Sequence, residues 1–108
     1  MPNWALKDAG GDNLNLWDFR QKSHVVLIYD PDAAADTLQK WSSAIEADRK
    51  QWDWLNVKFV LVKKAPKEMA PGVYAIDRYG TYISTFPVGR WNFNDLEREF
   101  IYYEAKHC

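Results

Sequence analysis

The sequence predicts an α/β fold, a mixed central β-sheet with helices on both faces and an N-terminal β-hairpin. Three features of the chain predict it. The run His24-Val25-Val26-Leu27-Ile28-Tyr29-Asp30 is too continuously apolar for a half-exposed strand and reads as a central strand covered on both faces. A stretch with helical spacing follows, and then a second apolar run, Val57-Lys58-Phe59-Val60-Leu61-Val62. Strand, helix and strand in that order make a βαβ unit, whose strands lie parallel after a right-handed crossover. Finally, Gly72-Val73-Tyr74-Ala75-Ile76-Asp77 and Thr81-Tyr82-Ile83-Ser84-Thr85-Phe86 flank Arg78-Tyr79-Gly80, the pattern of an antiparallel hairpin.

Taken in order, Trp4-Ala5-Leu6-Lys7 and Leu14-Asn15-Leu16 alternate apolar and polar residues around Gly10-Gly11, which supplies the positive φ of a tight turn. Trp17-Asp18-Phe19-Arg20 then reads as one helical turn. The long helix is expected from Ala33 to about Trp52, with Leu38, Trp41, Ile45 and Trp52 as its buried stripe and Asp32 as its N-cap. The second central strand ends at Lys63-Lys64-Ala65-Pro66-Lys67. A last helix is expected from about Phe93 to Ala105, started by Asn92 or Asn94, with Leu96, Phe100 and Tyr103 buried. The chain has no internal repeat, low-complexity tract or linker, so residues 1–108 are expected to form a single domain.

Composition narrows the function classes. The 108 residues include six Trp, six Tyr and five Phe, enough aromatic surface for a sizeable core. The formal net charge of -1 argues against nucleic-acid binding, which needs clustered Lys and Arg on one face. Cys108 is the only cysteine, which excludes an internal disulfide, a Cys-x-x-Cys pair and a Cys-rich zinc site. No apolar run approaches the roughly 20 residues of a membrane span. Met1-Pro2-Asn3-Trp4 lacks the start of a signal peptide, so a cytoplasmic location with no membrane contact is expected.

The element order is the layout of the thioredoxin fold, and particular residues carry a closer likeness. Leu6-Lys7-Asp8, Gly11, Leu14-Asn15-Leu16, Asp18-Phe19-Arg20 and Val25-Val26-Leu27 resemble the opening of peroxiredoxins of the alkyl hydroperoxide reductase type and of related thiol-disulfide oxidoreductases. Pro71-Gly72-Val73-Tyr74-Ala75-Ile76-Asp77-Arg78-Tyr79-Gly80 resembles the family segment in which a cis-proline precedes a strand ending in Ile-Asp and a Gly turn. The resemblance implies catalytic cysteines in the loop after the first central strand, where a helix N-terminus favours the thiolate. That loop is Asp30-Pro31-Asp32-Ala33-Ala34-Ala35-Asp36-Thr37, and Asp32, Ala34 and Thr37 stand at its degenerate active-site positions. The cysteines of a Cys-x-x-Cys motif would fall near Ala34 and Thr37. A peroxiredoxin loop matched at Pro31 and Thr37 puts Lys40 where the thiol is required. Thr and Lys cannot replace sulfur as two-electron reductants. No catalytic residue, metal ligand or cofactor is therefore assigned.

Other residues have two readings each. Cys108 is read as an incidental thiol, because a resolving cysteine has no sulfenic acid here to resolve. Asp30, Asp32 and Asp36 lack the Gly and distal Glu of a calcium loop and are read as capping residues rather than cation ligands. Lys63, Lys64 and Lys67 read as a solvated strand end, and Ser42-Ser43 lie in a helix without a nucleophile elbow. His24 is read as a polar strand-end residue. Trp91 is read as partly exposed or as packing on Leu96. By the resemblance, Pro71, Gly72, Val73 and Trp91, with the Asp30 to Thr37 loop, outline a cis-proline groove that accepts a protein or extended peptide through backbone pairing, which needs no cysteine. The expected function is a redox-inactive binding module, with self-association as a homodimer through the exposed sheet edge as a further partner reading. The alternative is an antioxidant oxidoreductase of the peroxiredoxin or thioredoxin type.

Overall fold

The computed structural model describes residues 4–107, so Cys108 lies outside it. The elements are β1 (Ala5–Asp8), β2 (Asn13–Asn15), a 3-10 turn (Leu16–Phe19), β3 (His24–Tyr29), α1 (Ala35–Ala47), α2 (Arg49–Leu55), β4 (Val57–Lys64), β5 (Gly72–Ile76), β6 (Tyr82–Phe86) and α3 (Phe93–His107). They build a six-stranded sheet in the order β2-β1-β4-β3-β5-β6. The continuous apolar run of β3 has the cause expected of it. It pairs parallel with β4, Val26 opposite Phe59, and antiparallel with β5, Val26 opposite Ala75.

Side chains alternate across β3 as the pleat requires. Val26 and Ile28 join Ile45, Trp52, Leu55, Leu96 and Phe100 in the cluster under the helices. Val25 and Leu27 point the other way, into a cluster with Trp4, Leu6, Leu16, Met69 and Ile76. The fold is thioredoxin-like, a mixed sheet flanked by helices, but the helical cover is unequal. All three α-helices contribute to the first cluster, and the 3-10 turn is the helical cover of the second. The connection from β4 to β5 is too short, and with Pro66 and Pro71 too proline-rich, to add a crossover helix there.

The N-terminal hairpin forms as expected, Leu6 opposite Leu14, with Gly11 at φ 89° in its turn, and β1 extends the sheet antiparallel to β4. The single long helix does not form. The chain breaks at Asp48, whose φ of -115° and ψ of 25° leave the helical region. Ile45 of α1 and Trp52 of α2 share one cluster across the break, the face that their seven-residue spacing also gives on an unbroken helix. Asp32 is not the N-cap. The Ala33 amide bonds the Asp30 carbonyl at 3.1 Å and the Asp32 amide bonds Asp30 Oδ1 at 3.2 Å. This turn consumes the residues ahead of α1, which starts after Ala34 without a side-chain cap. For α3 the starting residue is Asn92, whose Oδ1 accepts the Asp95 amide at 2.8 Å, and Leu96, Phe100 and Tyr103 are buried.

The cis-proline expected at position 71 is also corrected. No cis peptide bond occurs among the described residues, so Ala70–Pro71 is trans. The redirection into β5 falls on Gly72 instead. Its φ of 155° favours glycine, and a Cβ there would sit 2.8 Å from the Phe86 carbonyl oxygen. Among the described residues no helix is long and apolar enough to cross a membrane.

Candidate functional site

β3 delivers the chain to a loop outside its carboxyl end, the place where open α/β sheets bind ligands. Ala34 immediately precedes α1, Thr37 is half-buried in the first turn, and Lys40 is exposed one turn on. None carries sulfur. The arrangement therefore keeps the helix terminus that would lower a thiol pKa and has no thiol there to act on. Asp32 and Asp36 are exposed, and among the described residues no group of three or more His, Cys, Asp or Glu could hold a metal ion.

Beside this helix start lies a groove of about 420 Å³. Asp30, Thr37 and Trp41 form one side of it, and Val88, Gly89, Trp91, Asn92 and Phe93 the other. Gly89, at φ 78°, lets the chain turn tightly enough for the Arg90 amide to bond the Pro87 carbonyl at 3.1 Å. That turn presents Trp91 to α1. The Trp41 and Trp91 ring centroids are 5.4 Å apart, and Phe93 meets Trp91 edge-on at 5.1 Å. Phe93 in turn contacts Phe59 at 5.9 Å, and Phe59 contacts the buried Trp52 at 4.8 Å. A line of aromatic contacts thus anchors the groove wall in the core, each pair adding about 0.5–1.5 kcal/mol beyond area burial.

Thr37, Trp91 and Asp30 line this groove together. Pro71, Gly72 and Val73 do not line this groove. Gly72 pairs with Tyr29, and Val73 is held between Ile28 on β3 and Phe86 on β6. The carbonyl of Ala70 accepts the Tyr74 hydroxyl. Pro71 itself is exposed, at the same end of the sheet as Asp30.

At the opposite end of β3 is a polar network that sequence reasoning missed. His24 is fully buried. Its Nδ1 accepts the Arg78 amide at 3.0 Å, so the ring proton sits on Nε2, which donates to Glu104 Oε1 at 2.7 Å. Arg78 Nη1 approaches the same carboxylate oxygen at 3.6 Å. Next to it, Asp77 Oδ1 accepts the amides of Tyr79 and Thr81, and Oδ2 accepts the Tyr103 hydroxyl at 3.0 Å. Burial and the Asp77 carboxylate beside it push the Tyr103 hydroxyl up to about 12. The one sequence signal was a histidine opening an otherwise apolar central strand. Its partners, Arg78 in the turn after β5 and Glu104 on α3, are far away in the chain.

No family model matches the sequence, and no curated protein matches it. A solved structure of the mitochondrial 2-Cys peroxiredoxin from Plasmodium falciparum does match, with a TM-score of 0.66 over 97% of this chain and 90% of that one, at 14% identity. The fold is thioredoxin-like. At that identity the likeness is one of fold. The thioredoxin-like scaffold here carries a single cysteine, at position 108, whereas the description of the matched protein specifies two.

Proposed function

We propose that the chain is a redox-inactive binding module on a thioredoxin-like scaffold, taking an extended protein segment in the groove between Thr37 and Trp91. The observation that carries this reading is the pairing of Ala34, Thr37 and Lys40, where sulfur would be needed, with an open aromatic groove beside them. Reduction of a peroxide or disulfide requires a thiolate, whereas recognition of an extended segment requires concave apolar surface and a few polar groups. Pro71 and Gly72 belong to the neighbouring rim, since Gly72 pairs with Tyr29 one residue before Asp30. Val73 is already paired on both sides, so contacts with the segment come from the Asp30 to Thr37 loop and Trp91. Action in the cytoplasm is part of the same proposal. The test is chemical-shift mapping against a library of extended peptides. Shifts at Thr37, Trp41 and Trp91 with none at His24 or Glu104 are expected, and a library that leaves the groove unmoved overturns the reading.

Self-association is a second reading, favoured by β6, which closes one edge of the sheet with Tyr82 exposed. Sedimentation equilibrium gives a dimer mass under this reading and a monomer mass at all concentrations against it.

A further inference from the structure

We infer that the groove selects a cation, the ammonium of a lysine side chain on the bound segment. The inference rests on the binding reading above and adds the chemistry of the occupant. Trp41, Trp91 and Phe93 line the groove with Val88, and the carboxylate-bearing Asp30 lies among them. An aromatic face attracts a cation through its quadrupole, most strongly for Trp, and a nearby carboxylate adds to the attraction once water is partly excluded. An extended lysine stem lies along apolar surface while its head reaches a polar terminus, which matches Val88 and the rings on one side and Asp30 on the other.

The charges around the site favour the same occupant. Asp32 and Asp36 stand exposed on the adjoining loop and first turn of α1. Against the three carboxylates stand the start of α1, with roughly +0.5 of a charge, and Lys63, which lines the adjoining cavity with Asp30 but not this groove. Arg90, the cation nearest in sequence to Trp91, is exposed and does not line the groove, and neither does Lys40. An acidic or neutral segment would meet the aromatic rings without this complement. A basic one gains both interactions at once.

The experiment compares three probes by Trp fluorescence and by the indole shifts of Trp41 and Trp91. These are a short extended peptide with one central lysine, the same peptide with norleucine, and tetramethylammonium alone. The lysine peptide is expected to bind about tenfold more tightly than the norleucine peptide. Asp30→Asn, which keeps the acceptor for the Asp32 amide, and Trp91→Leu are each expected to remove that preference. Equal binding of the lysine and norleucine peptides overturns the cation inference and leaves the binding reading standing. Tetramethylammonium binding as tightly as the lysine peptide overturns the polypeptide as the source of the cation. Silence of all three probes at both indoles overturns the inference and the binding reading together.

Discussion

His24 and Glu104 lie 80 residues apart in the chain, and His24 Nε2 donates to Glu104 Oε1 at 2.7 Å. The bond joins the first residue of the central strand to the last helix. The Arg78 amide, donating to Nδ1 from the turn between β5 and β6, makes the imidazole a two-sided clasp. The groove lies at the other end of β3 from this clasp.

Breaking the clasp from the histidine side should be costly. His24→Phe fills the space but leaves the part-buried Arg78 amide without its acceptor and takes one partner from Glu104, a loss of about 1–3 kcal/mol. Glu104→Gln retains an acceptor for Nε2 and should lose less than about 1 kcal/mol. Urea unfolding of the two variants checks the asymmetry. Equal losses would mean that the carboxylate charge, not the hydrogen-bond geometry, matters.

Gly72→Ala should destabilise the protein by about 2 kcal/mol or more, because the new Cβ meets the Phe86 carbonyl oxygen at 2.8 Å and the φ of 155° suits glycine. The collision is with backbone, which cannot rotate away. Thermal or urea unfolding measures the loss, and a neutral substitution would contradict the placement of β6 against Gly72.

Tyr103 predicts an alkaline effect. Its hydroxyl ionises near 10 in the unfolded chain and at about 12 in the folded protein, through burial first and then Asp77. A raised folded value means that the contribution is fully present below about pH 10 and is lost as pH rises toward 12. The stability advantage of the wild type over Tyr103→Phe should therefore shrink across that window, while Tyr74 and Tyr82, common to both proteins, cancel. A constant difference from neutral to alkaline pH contradicts the assignment.

The strands were readable because burial on both faces writes itself into β3 as an uninterrupted apolar run, and because Gly80 marks the hairpin turn. The stripe Leu96, Phe100 and Tyr103 was readable for the same reason at helical spacing. The break at Asp48 was not, since nothing local forbids a helix there. Across the break, Ile45 of α1 and Trp52 and Leu55 of α2 stay in one cluster. Of the site, the missing sulfur at Ala34, Thr37 and Lys40 was legible once the scaffold was placed, and Trp91 was singled out. Trp41 as its neighbour required the loop from Val88 to Phe93 to be seen in three dimensions. The trans bond at Pro71 and the buried role of His24 likewise depend on strand partners distant in sequence.

Loss of redox chemistry is tested by hydrogen peroxide consumption in the presence of a dithiol reductant, run on the wild type and on Cys108→Ser. Both proteins are expected to consume peroxide at the rate of the protein-free reaction, because no thiol stands at the start of α1. Consumption above that rate by the wild type, abolished in Cys108→Ser, would contradict that loss.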